Sequence, residues 1–131
     1  MKKIHKKENG MIQEALKIAQ KSDMRSKHGC VIVDSKNNII ATGYNKMAQL
    51  TKEQIVKENF KKYMKASYHA EEMALHKVNV RKLQGARMYV IRKSHDEYIY
   101  SKPCVKCMYR IQYYIKHFGL YAVYYTDSKK N

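Results

Sequence analysis

At 131 residues and 44 % apolar, the chain can build one hydrophobic core but not two, and its longest apolar runs, CVIV and LYAVYY, are far too short to span a bilayer, so a single soluble domain over 1–131 with no membrane segment is expected. The charged opening MKKIHKKENG leads into no apolar stretch of signal-peptide length, and three cysteines, an odd number, argue against a disulfide framework, which places the protein in the cytoplasm with cysteines suited to metal or redox chemistry. The net charge of +16, from 27 Lys and Arg against 11 Asp and Glu, attracts polyanions such as nucleic acid or nucleotide phosphates, although the lysines are scattered as a purely solubilising excess would be.

Met11 to Met24 carry Ile12, Ala15, Leu16 and Ala19 at helical spacing, with Lys17, Gln20 and Lys21 toward solvent, which predicts an amphipathic helix. CVIVD and IIATG, joined by the polar tetrapeptide SKNN, predict a β-hairpin. The Lys-rich stretch from Tyr44 to Ser67 reads as an insertion over the site, with a short helix inside TKEQIVKENFKKYMK. HAEEMALHKV predicts a helix with Ala70, Met73, Ala74 and Val78 on its apolar face, ARMYVIR a strand, and KSHDEYIYSK a polar loop. Pro103 suits the first turn of a helix running from Cys104 to His117, with Ile111 and Ile115 inward; Gly119 stops it, and LYAVYY is the last strand. The order α-β-β-α-β-α-β predicts a layered sheet with helices on its faces, the later strands parallel because helices cross over between them.

Two of these helix starts carry chemistry. Cys104 and Cys107, at i and i+3, fall on one face of a first helical turn, where free N–H groups and the positive end of the dipole favour thiolates. His69, at the start of the other helix, adds a neutral imidazole; one nitrogen and two sulfurs leave the fourth tetrahedral position to water, the pattern of a catalytic rather than a structural Zn2+ site. Glu71, two residues on, points to a different side of the helix and suits a general base. Glu72 reads instead as a solvated acid favoured by the helix dipole.

The ordered set H-x-E…P-C-x-x-C resembles the cytidine and deoxycytidylate deaminase superfamily, in the branch whose first metal ligand is His, from about Lys27 to Asp127. KHGCVIVDSKNNIIATGYN looks like the family's hairpin and Asn-bearing loop, HAEEMAL like its first zinc helix, and SKPCVKC with FGLYAVYYTD like its second zinc helix and following strand. The resemblance implies a three-layer α/β/α fold around a mixed sheet of four to five strands. It implies hydrolytic removal of an exocyclic amine from a nucleobase, with Zn2+ activating water and Glu71 moving its protons. It further implies a sugar contact from Asn45, a base contact from the Ala70 N–H, and an acceptor for the amine in the carbonyl just before Pro103, that of Lys102.

Substrate markers conflict: Met73 resembles tRNA adenosine deaminases, whereas IKHFGLYAVYYTD resembles the deoxycytidylate group. The leading expectation is a deaminase of a cytosine nucleotide such as dCMP or CMP, with phosphate contacts from the loop that holds Lys46 and Lys52. One rival deaminates a base within RNA or single-stranded DNA; another is a non-catalytic, zinc-stabilised nucleic-acid-binding module, which Glu71 argues against. Family members commonly have a fifth strand and a closing helix after the fourth strand, so a homo-oligomer partner is expected to cover a sheet edge or core face left bare. Cys30 reads as a small core residue, and the tyrosines at 109, 113, 114, 121, 124 and 125 as packing or interface groups rather than a stacking platform.

Overall fold

The structure, a computed structural model, describes residues 2–3, 9–47, 67–94, 97–99 and 103–126. The helix expected inside Thr51–Lys65, with Lys52, and the site residue Lys102 lie outside them. In chain order the elements are β1 (Lys2–Lys3), α1 (Asn9–Ala19), β2 (Lys27–Val33), β3 (Ile39–Tyr44), β4 (Lys46–Met47), β5 (Ser67–Tyr68), α2 (Ala70–Lys77), a 3-10 turn (Val80–Lys82), β6 (Arg87–Ser94), β7 (Glu97–Ile99), α3 (Val105–Phe118) and β8 (Ala122–Tyr125).

Four strands frame a mixed sheet in the order β8-β6-β2-β3; β2 runs antiparallel to β3 and β6, while β8 lies parallel to β6. That parallel step follows from α3, which carries the chain back across the sheet between them. Two short strands extend the frame. β7 folds back on β6, pairing Ser94 with Glu97 and Arg92 with Ile99, so part of the expected polar loop is a hairpin. β1 joins β8 in parallel, Lys2 beside Tyr124 and Lys3 beside Tyr125. The β8 edge is thus paired within the chain over these two residues.

Strand alternation sorts the core into two layers. Val31 and Val33 of β2, Tyr89 and Ile91 of β6 and Ala122 and Tyr124 of β8 pack with Ala15 and Ala19 of α1. On the other face Cys30, Ile32, Met88, Val90 and Val123 pack with Ala70, Ala74 and Leu75 of α2 and Ile111 of α3. Helices thus cover both faces, giving the three-layer α/β/α architecture. Tyr89 and Tyr124 stack in the first layer with centroids 5.0 Å apart.

Three local expectations are corrected. α1 ends at Ala19, where the chain turns, rather than at Met24. Pro103 stands one residue before the N-cap of α3, since Cys104 has extended angles of φ −67° and ψ 167°. Ile115 is exposed, not inward: the buried seam of α3 runs through Cys107, Ile111, Tyr114 and Phe118, and at 100° per residue position 115 turns past its edge. Gly119 ends α3 as expected, in the left-handed conformation at φ 77°.

Candidate metal centre and active site

Close backbone packing puts α2 where the site needs it. A Cβ on Gly43 of β3 would collide with the Ala70 carbonyl and lie 2.7 Å from the Ala74 amide nitrogen, so only glycine lets the helix lie this near the strand. The β4–β5 ladder, Lys46 opposite Tyr68 and Met47 opposite Ser67, returns the chain beside the end of β3 just before α2 begins. His69 then caps α2 in an extended conformation, its carbonyl accepting the Met73 N–H at 3.1 Å. On α3, Cys104 is the N-cap and its carbonyl accepts the Met108 N–H at 2.8 Å; Cys107 lies three residues further, buried against the core.

Both cysteines converge on one imidazole nitrogen. His69 Nδ1 lies 3.2 Å from Cys107 Sγ and 3.6 Å from Cys104 Sγ, and all three donor atoms fall within 4.8 Å of one another. Among the described residues this is the cluster suited to a metal, and one nitrogen with two sulfurs is the donor chemistry Zn2+ takes in open sites. Burial pushes the Cys107 thiol well up, with the nearby Glu71 and Cys104 charges adding to it, so a cation here compensates a site that resists negative charge.

Glu71 is the second part of the arrangement. Its side chain is 4 % exposed, and its Oε1 has no hydrogen-bond partner among the described residues. Burial pushes its pKa up to about 7, against a lowering hydrogen bond from its own backbone N–H and with a smaller raising push from Glu72. A buried carboxylate left unpaired is costly unless it serves a ligand or a reaction.

Glu72 corrects the sequence expectation of a solvated acid. Its side chain is 16 % exposed; Oε1 accepts the His69 backbone N–H at 3.2 Å, and Oε2 lies 3.8 Å from Arg110 Nη2 and 4.0 Å from Lys106 Nζ. One carboxylate therefore ties the start of α2, and with it His69, to the helix that bears the cysteines. The capping spacing of Glu72 was visible in sequence, but its α3 partners were not. Glu72→Ala is expected to weaken zinc retention against a chelator by several-fold, and Glu72→Gln, which keeps the acceptor for His69 N–H, by less, since half-exposed ion pairs contribute about 0–1 kcal/mol. Equal retention in wild type and Glu72→Ala is the contrary result.

The remaining expected site residues separate. Ala70 is fully buried as the first residue of α2, so its N–H belongs to the helix start beside the ligands. Asn45 is buried, and its amide clasps the chain ahead of β2: Oδ1 accepts the His28 N–H at 2.8 Å while Nδ2 donates to the Ser26 carbonyl at 2.8 Å and to Met24 Sδ at 3.4 Å. This bonding supports a positioning role. Cys30 is a core residue, as expected, and burial with the nearby Glu71 and Cys107 charges holds it neutral. His28 sits by the site with its pKa lowered to about 4 by burial, Arg92 and His69, and so presents a neutral ring.

A groove of about 590 Å³ runs along the outer side of α2, with Glu72 and Met73 beside Tyr44 and His76, and with Lys46, Lys77 and Arg110 supplying cations. Its size is that of small-molecule sites. Among the described residues no helix is long and apolar enough to cross a membrane.

Comparison with known proteins places these features in context. A family profile described as the cytidine and deoxycytidylate deaminase zinc-binding region matches residues 5–126. The solved structure of dCMP deaminase from the cyanophage S-TIM5, in complex with dCMP and dUMP, is similar in fold, with a TM-score of 0.60 at 20 % identity over 97 % of this chain and 87 % of that one. RibD of Acinetobacter baumannii aligns at 25 % identity over 65 % of this chain and 20 % of its own, with a TM-score of 0.41. No curated protein sequence matches.

Proposed function

The chain belongs to the cytidine and deoxycytidylate deaminase family, and from that premise we propose that it hydrolyses the exocyclic amine of the cytosine base in a nucleoside monophosphate, dCMP or CMP, giving the uracil nucleotide and ammonia. The observation that carries the reading is the buried, unpartnered Glu71 Oε1 beside a three-donor His-Cys-Cys cluster.

His69, Cys104 and Cys107 would hold Zn2+, which when bound supplies the Lewis acidity that makes water nucleophilic at neutral pH. Glu71 then does the proton work. Its carboxylate takes a proton from the attacking water and gives it to the ring nitrogen beside the attacked carbon, and a second transfer protonates the departing amine. Burial pushes the Glu71 carboxyl well above the usual carboxylate range, toward the region where one group can both accept and return a proton near neutrality. Burial excludes bulk water from the carboxylate, so the exchange is with substrate. Asn45, through Ser26 and His28, would hold the approach to the site in shape.

Cations of the groove support the monophosphate as substrate: Lys46, Lys77 and Arg110 surround a space beside α2 in which an anionic tail would lie while the base reaches the ligands. Binding energy from such a tail positions the reacting base, so the nucleoside is expected to be poorer in kcat/KM than its monophosphate. Ammonia release from cytidine, CMP, dCMP, dCTP, adenosine, guanine, tRNA and single-stranded DNA measures this directly. Salt is expected to raise the monophosphate KM only modestly, because one phosphate is being screened. Turnover of tRNA or single-stranded DNA with none of any free nucleotide would reject the substrate class and leave the metal chemistry standing.

A further inference from the structure

The outward face of α3 is composed against the rule for a solvent-facing helix. At 100° per residue, positions 105, 109 and 116 point away from the buried seam with 112 and 113 flanking them, where charged and small polar side chains are the norm. Here three of them are Val105, Tyr109 and Tyr113, exposed by 70 %, 72 % and 55 %. Tyr113 is steadied by His117, ring centroids 4.4 Å apart, and by Phe118 at 6.1 Å. Core packing claims others of the tyrosine set: Tyr124 is buried on Tyr89, and Tyr114 packs partly against the core.

Cations flank the rings. Lys106, Arg110 and Lys116 lie on the same helix, which contains no Asp or Glu. Two of the three approach Glu72, Arg110 at 3.8 Å and Lys106 at 4.0 Å, but the chain as a whole carries +16. A second copy docking by this face would set these cations against themselves. An acidic peptide would satisfy the charges and leave the rings with no matched partner. Unpaired bases on a phosphate backbone satisfy both, since every base has a face that stacks on an aromatic ring and every nucleotide brings one negative charge.

We propose that the outward face of α3 is a docking strip for single-stranded nucleic acid, with Tyr109 and Tyr113 stacking successive bases and Lys106, Arg110 and Lys116 meeting phosphates. Tyr109 and Tyr113 are one helical turn apart, about 6 Å along the axis. The strip begins at the N-cap Cys104, so a bound strand leads up to the metal centre. Arg110 also lines the groove beside α2, whereas Tyr109, Tyr113 and Lys116 lie on the side of α3 turned away from the sheet, and the strip binds whether or not the strand is also a substrate.

The test is fluorescence anisotropy of labelled single-stranded DNA and RNA 15-mers of mixed sequence, with the zinc-loaded protein, over a series of salt concentrations. Wild type is expected to bind with the logarithm of affinity falling against the logarithm of salt at a slope of roughly −2, about −0.7 for each of three contacts. Replacing each ring by Ala is expected to weaken binding by roughly 5- to 100-fold, while Tyr109→Phe, which keeps the stacking face, stays near wild type. Lys116→Gln is expected to make the slope shallower by about 0.7. Zinc content and melting temperature verify that each variant is folded, and these exposed positions should leave both unchanged. Equal affinity of wild type and the Tyr109→Ala, Tyr113→Ala double variant for both probes overturns the proposal. So does sedimentation in which self-association, rather than oligonucleotide binding, is lost with the two rings, because a second copy then occupies the face.

Discussion

Glu71→Gln is expected to yield a folded, zinc-loaded protein whose turnover is lower by roughly 10²–10⁴-fold, the range that positioned acid–base groups contribute. The substitution keeps the shape of the side chain and both of its heavy polar atoms, so packing against the surrounding core is unchanged. What it removes is the ability to take a proton and return it. Glu71 Oε1 makes no other bond among the described residues, so no structural link is lost with the charge. Removing a buried carboxylate with an unpartnered oxygen should in fact leave the melting temperature unchanged or higher, since its burial opposes ionisation and the native fold carries that penalty. Ammonia release, zinc content and a thermal melt on the same preparation separate the cases. A variant that retains turnover, or one that loses zinc along with it, would make Glu71 a structural group and remove the main support for the proposed mechanism.

Cys107→Ser is expected to abolish zinc retention and activity together, and to do so more completely than Cys104→Ser. Cys107 is 1 % exposed at the third position of α3, where a hydroxyl would replace a soft sulfur donor in an apolar wall. Cys104 is exposed and occupies the N-cap, a place where serine is a preferred residue, so the helix start survives and part of the metal affinity can survive with it. Loss of a direct ligand should exceed the ~10–100-fold that changes in an outer hydrogen-bonding partner cause. Because His69 and the cysteines come from different helices, metal removal should also lower the melting temperature: a ligand present at 1,000 times its dissociation constant stabilises the folded state by about 4 kcal/mol. Zinc titration of the two variants and of chelated wild type, followed by calorimetry, measures the order. Full activity in the metal-free protein, or full zinc in Cys107→Ser, would contradict the assignment of the centre.

Much of the chemistry was legible before any fold was known, because its signals are local. The spacing of Cys104 and Cys107 puts two sulfurs on one face of a helical turn, and the two-residue step from His69 to Glu71 separates ligand from base around a helix, wherever those helices lie. Element order was legible for the same reason: the apolar periods of α1, the β2–β3 hairpin and the left-handed stop at Gly119 are set by neighbours in sequence.

Where a residue's environment depends on distant parts of the chain, the local sequence misleads. Periodicity alone placed Ile115 inward, yet burial on α3 is decided by where the sheet meets the helix. Glu72 looked solvated because Lys106 and Arg110, more than thirty positions away, are neighbours only once α2 and α3 lie side by side. No pattern within the tyrosines distinguishes Tyr124, stacked in the core, from Tyr109, open to solvent.

By itself, then, the amino-acid order determined which atoms could bind zinc and which carboxylate could move a proton, since donor type and spacing are properties of short segments. Only the tertiary structure decided that His69 and Cys104, 35 positions apart, meet at 3.6 Å, and that, among the described residues, Glu71 Oε1 is buried without a partner and the outer face of α3 has no covering element. Those are outcomes of helix crossovers and close packing against one sheet, where hydrophobic burial chooses among arrangements that local preference leaves equivalent.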